Sequence, residues 1–394
     1  MRDLIVDWTL RICREKTVDY DVADYPASGP DGMASPGEEG KVVAILAKEL
    51  SAMGVPFTTH AKVPGRENLL ARVGQGRPGY RTLLALLHTD VVPSGAPSAW
   101  RFAPFEPFEK EGKLYGRGVL DDKGPLAASF AALAILKKHE DAIPGSFVFG
   151  AVGDEEVGVG VGVEHLLERG LIQCTDAVIP DIAGEMREIN VAEKGRVVLK
   201  VSASGRQAHA MNPAKGVSAI HAMARFLTAL ERLKLRHEPH RILDAPTINA
   251  GLIRGGIAPN AVAADCETTL DIRYLPSQTS AGIREEVQRC ADAVGMPGAT
   301  FTVAIHQESL PCEVPADAPI VQAILRVAPD ARVVGSGGGT FAKPLVLAGI
   351  QAVGWAPGNE ATYHEPNEEI EVAQLTLFAG RLACLALDVC SRPV

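Results

Sequence analysis

The rhythm of apolar and polar positions changes twice along the 394 residues. Up to residue 195, helical and strand-like stretches alternate. "GEEGKVVAILAKELSAMG" carries apolar side chains at helical spacing and stops at Gly54, which predicts an amphipathic helix. "ENLLARVG" and "RTLLALLHTDVVP" read as strands, the second almost wholly apolar and therefore central in a sheet. "GPLAASFAALAILKKH" is an Ala- and Leu-rich helix in which Pro125 suits the first turn. "SFVFGAVG" is another buried strand, and "GVEHLLERG" is a short helix with a glycine stop. Such alternation predicts a largely parallel sheet covered on both faces.

After "EKG" at residues 193–195 the strands become polar on one side. "RVVLKVSASG", the amphipathic helix "GVSAIHAMARFLTALERLK", the strands "TINAGLIRGG" and "ETTLDIRYLP", the helix "SAGIREEVQRCADAVG" and the strand "ATFTVAIHQ" come in turn. The order β-α-β-β-α-β is that of a compact two-layer unit. Buried strand-and-helix character returns from about Pro311. The expected fold class is α/β: a discontinuous domain with a mostly parallel sheet, residues 1–195 and 308–394, plus an inserted two-layer α+β domain at 196–307. No internal repeat or low-complexity segment interrupts it.

A chain of this length exceeds a single core, in keeping with two domains. The formal charge of −9 disfavours nonspecific binding to nucleic acid or anionic membranes. The opening "MRDLIVDWTLRICREK" has charges spaced through it, unlike a secretory signal. No later run is read as approaching the ~20 apolar residues of a spanning helix. Seven cysteines lie scattered without a C-x-x-C pair, so a reduced, cytoplasmic compartment is expected.

In an open α/β sheet, ligands bind beyond the carboxyl ends of the strands. Polar residues gather at several such ends. "LLALLHTD" delivers His88 and Asp90, "LYGRGVLDDKG" delivers Asp121 and Asp122, and "FGAVGDEE" delivers Asp154, Glu155 and Glu156. "DAVIPDIAGEM" puts Asp181 after a short apolar run, and "ATYHEPNEEI" supplies His364. Each has a bland explanation: a structural histidine, a helix cap, a solvated loop. Together they read as a two-metal site, because zinc takes imidazole nitrogen and carboxylate oxygen and paired metals need a bridging carboxylate. A cation also relieves the repulsion among three adjacent carboxylates.

The stretches "HTDVVP", "YGRGVLDDKG", "GDEEVG", "PDIAGEMREINVAEKG", "GRQAHAMNPAKG", "GGIAPNAVAADCETTLDIR" and "YHEPNEEI" run in one order along most of the chain. In this the sequence resembles the di-zinc peptidases and amidohydrolases that include carboxypeptidase G, succinyl-diaminopimelate desuccinylase, acetylornithine deacetylase, aminoacylase and the Xaa-His dipeptidases. The resemblance implies a catalytic discontinuous domain and an inserted lid that also dimerises. Asp121 would bridge two divalent ions, with Zn2+ expected and Co2+ or Mn2+ as alternatives. His88 and Asp181 would complete one ion's ligands, and Glu156 with His364 the other's. Glu155 would be the general base toward a metal-bridging water, and Asp90 would hold the His88 ring. The Asp121–Asp122 junction would hold a cis peptide. Asp154 receives no chemical role beyond a loop hydrogen bond. From the lid, His209 would reach the developing oxyanion, while Asn260 and Arg273 would contact substrate; for Arg273 a salt bridge within the lid is an equal alternative. The N–H groups of "GSGGGTFAK", with Gly338, Gly339, Thr340 and Lys343, would hold a substrate carboxylate.

The resemblance implies hydrolysis of amide bonds in a small peptide or N-acyl amino acid, by a homodimer joined through the lid. Within that family an Asp at the position of Asp181 goes with dipeptidases and a Glu with deacylases, so a dipeptide substrate is expected first and an N-acyl amino acid second. A catalytically silent scaffold would lack the base or a ligand, and none is missing. A nucleotide enzyme on this fold would show G-x-G-x-x-G after the first strand or G-x-x-x-x-G-K-[ST]; neither occurs.

Overall fold

The structure is a computed structural model that describes residues 1–19, 37–158 and 160–394. The chain divides into two compact units. The first comprises Met1–Val191, Val314–Val334 and Thr340–Val394, and the second Ala192–Glu313 and Gly335–Gly339.

In the first unit the apolar runs assemble into a mixed sheet. Seven of its strands lie in the order Phe57–Ala61, Glu67–Val73, Ser146–Val152, Thr82–His88, Asp176–Ala183, Gln351–Ala356 and Glu188–Glu193. Only the centre is parallel: Thr82–His88 pairs in parallel with both Ser146–Val152 and Asp176–Ala183, which in turn pairs in parallel with Gln351–Ala356. The flanks are antiparallel. This departs from the mostly parallel sheet expected, for a simple reason. Parallel neighbours need a long crossover, whereas five residues join Ala61 to Glu67 and four join Ala183 to Glu188. Short links of that kind reverse the chain.

The helix Lys123–Lys137 buries every residue through Leu133. Phe130 is its centre, edge-on to Trp8 at 4.8 Å between centroids and to Phe149 at 5.4 Å. The last helix, Val372–Cys390, is long and apolar enough to cross a membrane by length and composition, contrary to the sequence expectation. It packs in the core, where Leu375, Phe378, Leu382, Leu385 and Ala386 are fully buried. Its apolar character therefore answers to the protein interior. All seven cysteines are free.

The second unit holds a four-stranded antiparallel sheet in the order Thr247–Gly255, Asp265–Tyr274, Gly195–Ser204, Thr300–Ser309. Helices Ala219–Leu230 and Ser280–Asp292 close one face over Val197, Leu199, Val201, Leu270 and Ile272. Side-chain caps start both helices: Ser218 Oγ accepts from His221 N at 3.2 Å and Thr279 Oγ1 from Gly282 N at 3.1 Å. Entry and exit are neighbours, since Glu193 pairs with Cys312 and Ala192 with Glu313. The strand Thr247–Gly255 is the sheet's edge and leaves Leu252 and Ile253 more than half exposed.

Truncating Phe130 to Ala removes the ring that joins helix to sheet, at a typical cost of about 3–5 kcal/mol. The denaturation midpoint followed by tryptophan fluorescence should fall clearly. An unchanged midpoint would show that Phe130 does not anchor this core.

Candidate metal centre

The central parallel strands end side by side, so the loops that leave them meet at one rim of the sheet. His88 is the last residue of its strand and pairs with Val152. Just beyond Val152, Gly153 donates its N–H to Asn68 Oδ1 at 3.0 Å. A side chain at 153 would collide with Glu39, whose carboxylate is held by Arg66 in a buried ion pair. Asp154 takes a left-handed φ of 72° and its Oδ2 accepts from Val161 N at 2.7 Å. That is the loop hydrogen bond expected of it.

The Asp121–Asp122 peptide is cis. Asp122 occupies the N-cap position of the core helix but makes no cap bond; its Oδ2 accepts from His88 N at 3.1 Å. The two oxygens of Asp121 engage different histidines, Oδ1 at 2.9 Å from His88 Nε2 and Oδ2 at 3.0 Å from His364 Nε2. His364 Nε2 is also 3.2 Å from Glu156 Oε2. Asp181 lies inside the strand Asp176–Ala183, close to its end, and not beyond it. Its carbonyl accepts the hydroxyl of Tyr363. Two sets of donor atoms result, each within 4.8 Å: His88, Asp121 and Glu156, and His88, Glu155 and Asp181.

The contact of Asp90 with His88 is different from a simple carboxylate bond. His88 Nδ1 is 3.0 Å from the Asp90 carbonyl and 3.6 Å from Asp90 Oδ1, while Asp90 Oδ2 accepts from Glu156 N at 3.0 Å. Asp90 thus fixes the imidazole through its backbone and the acidic loop through its side chain.

The electrostatics are those of crowded buried charge. Burial drives the Glu155 carboxyl well above the ordinary carboxylate range, and Asp181 reinforces it. Burial and the charge of Asp121 raise Glu156 against the pull of His364. Burial likewise holds Asp122 well above its usual value. Asp121 goes the other way: hydrogen bonds from His364 and His88 outweigh its burial and depress it. Hydrogen bonds to Asp121 and Glu156 push His364 up to about 10. For His88, burial opposes the charged form, but Asp121 and Asp90 outweigh it and raise the imidazole well above its usual value. Glu156 Oε1 is buried with no hydrogen-bond partner. An orphaned carboxylate oxygen amid imidazole and carboxylate donors is what a divalent cation fits.

His209 and Asn260 are exposed neighbours in the second unit: His209 bridges Ala261, and Ala210 N donates to Asn260 O at 3.0 Å. Arg273 has the intra-lid salt bridge, Nε to Asp271 Oδ1 at 2.8 Å, and reaches Gly337 O at 3.2 Å. In the glycine run, the N–H of Gly338 is taken by Ser336 Oγ at 3.0 Å, which removes one of the free donors expected there. Gly339 adjoins it in the second unit. Thr340 and Lys343 belong to the first unit, where Thr340 Oγ1 accepts from Ala342 N and Lys343 is buried. Three residues escaped the sequence reading: Tyr363, Arg117 and Glu368. The last lies four residues after His364 in an acidic stretch, yet it is fully buried.

The sequence profile of peptidase family M20/M25/M40 matches residues 85–388. The chain is 30% identical to the acetylornithine deacetylase of Proteus mirabilis over 364 residues, 89% of this chain and 90% of that one. It is 31% identical to a succinyl-diaminopimelate desuccinylase of Methylorubrum extorquens over 291 residues, 70% and 73% of the two chains. In fold it is similar to a tripeptidase from Staphylococcus aureus, with a TM-score of 0.77 and 23% identity over 100% of this chain and 99% of that one. With the carboxylate and imidazole donors gathered at the strand ends, these likenesses show that the chain belongs to peptidase family M20/M25/M40 and is a hydrolase of amide bonds.

Proposed function

We propose that this protein hydrolyses the amide bond of a small peptidic or N-acylated substrate with two divalent metal ions, Zn2+ before Co2+ or Mn2+. The observation that carries the reading is Asp121, whose two oxygens face His88 and His364 separately, with Glu156 also against His364. Asp121 would be shared by the two ions, with His88 and Asp181 holding one and Glu156 and His364 the other. When bound, the metal pair supplies Lewis acidity to the attacking water and to the substrate carbonyl. Glu155 is left to move the proton. As the carboxylate it takes a proton from the attacking water, and as the acid it gives that proton to the leaving nitrogen. Asp90 and Asp122 keep the His88 backbone and ring in place meanwhile. His209, Asn260 and Arg273, with Gly338, Gly339, Thr340 and Lys343, are the proposed substrate contacts. Arg273 keeps guanidinium N–H groups beyond its bond to Asp271, which suits a carboxylate.

The Glu155→Gln variant should retain two metal ions per chain by elemental analysis while kcat falls about 10²–10⁴-fold. Loss of metal with near wild-type turnover would reverse the roles of Glu155 and Glu156.

The apolar edge of the second unit supports a homodimer. Leu252, Ile253 and Ile257 stand exposed beside an unpaired strand edge, an arrangement that needs covering. Free cysteines throughout support a reducing, cytoplasmic setting. If His209 serves the partner's site, mixing His209→Ala chains with Glu155→Gln chains should restore activity that neither has alone. A monomer at assay concentration in analytical ultracentrifugation would sink the idea.

For the substrate, Asp181 favours a dipeptide: a shorter carboxylate leaves room to receive a free ammonium group as well as an ion. A second reading, an N-acyl amino acid, is favoured by the names of the relatives found along most of the chain. Comparing kcat/KM for dipeptides with that for acetyl- and succinyl-amino acids decides between them. The dipeptide reading expects blocking of the amino terminus to lower turnover, and a rise would give the site to the deacylases.

A further inference from the structure

Arg117 and Glu368 form an ion pair, Nη1 to Oε2 at 2.8 Å, with both side chains essentially sealed from solvent. Removing two charges from water is costly, and a well-packed apolar pair serves stability as well or better. The bonding around the pair suggests another use. Glu368 Oε1 accepts from Leu120 N at 2.8 Å and Asp121 N at 3.1 Å, and Oε2 accepts from Gly118 N at 3.0 Å as well as from Arg117. The second nitrogen of the guanidinium, Nη2, donates to the carbonyls of His364 at 3.3 Å and Pro93 at 3.5 Å. The indole of Trp100 lies 5.2 Å from the guanidinium carbon and donates its own N–H to Ser94 O at 2.8 Å.

Three loops therefore meet on one ion pair: the loop after His88, the loop that carries Asp121, and the loop that carries His364. The last of these needs outside support. His364 and Asn367 have left-handed φ values of 58° and 66°, and His364 is half exposed. We propose that Arg117 and Glu368 are positioning residues that set the separation of Asp121 and His364, and that the affinity for the metal ion between them depends on this pair. The proposal rests on the reading of those side chains as metal ligands.

Replacing Glu368 by Gln keeps the size of the side chain but turns one acceptor into a donor. Whichever oxygen is lost, an amide N–H then faces backbone N–H groups. A double variant, Arg117→Met with Glu368→Leu, removes both charges and leaves no buried ion unpaired. Metal-free wild type and variants are titrated with Zn2+ against a chelator, and thermal midpoints are recorded without metal. Zinc affinity should fall about 10–100-fold in both variants, and the double variant should also melt below wild type, because its apolar side chains leave the N–H groups of Gly118, Leu120 and Asp121 without their acceptor. Affinity that stays at the wild-type value in a folded variant overturns the proposal, as does a loss that merely tracks the fraction unfolded. If the double variant does not fold, Glu368→Gln decides alone, at a temperature where circular dichroism shows it folded. A wild-type chain that binds no divalent ion removes the metal reading itself and this proposal with it, an outcome distinct from equal binding by wild type and variant.

Discussion

Crowded negative charge, concentrated where the central parallel strands end, is the constraint around which this protein is arranged. Asp121, Asp122, Glu155, Glu156 and Asp181 gather there with His88 and His364 opposite them. Left to themselves they would spread, protonate or take up water. The surrounding structure prevents the first of these with fixed hydrogen bonds. Asn68 holds the start of the acidic loop, Asp90 holds Glu156, Asp122 holds His88, and Tyr363 holds the strand that bears Asp181. Each of these bonds reaches the backbone of a segment that carries a charged side chain, so that the charge is oriented without being neutralised. Carboxylates fixed in this way suit a cation, and the chemistry proposed for the site stems from that fit.

Parallel topology makes the gathering possible. Strands that run the same way present their carboxyl ends at one rim, and residues distant in sequence arrive there together. The antiparallel flanks contribute none of the crowded carboxylates. They extend the sheet, and their short links cost little chain.

Much of this was legible beforehand because apolar runs are long and the polar residues sit just past them. "LLALLHTD" and "SFVFGAVGDEE" show both the strand and its chemical cargo in one reading. The features that escaped did so for identifiable reasons. The strand Phe57–Ala61 is polar and largely exposed, so it lacks the pattern that marked its neighbours, and with it the antiparallel flank went unseen. The helix Val372–Cys390 carries Arg381 and Asp388 within its apolar run, which hid its length. Glu368 resembled any acidic loop residue, since nothing local tells that the backbone around Gly118 and Asp121 will fold over it. The intra-lid partner of Arg273 could be named only as an even alternative, because a strand residue two positions away shares its face and nothing in the sequence says which way a guanidinium leans.

The pairing of Glu193 with Cys312 and of Ala192 with Glu313 brings the two ends of the insert to one place. For the rest of the chain, the residues between them amount to a long hairpin loop, and the entropic cost of closing such a loop grows only slowly with its length. None of the charged residues at the strand ends lies within it. The length of the insert can therefore change at little entropic cost to the rest of the chain, while the charged residues at the strand ends keep their register.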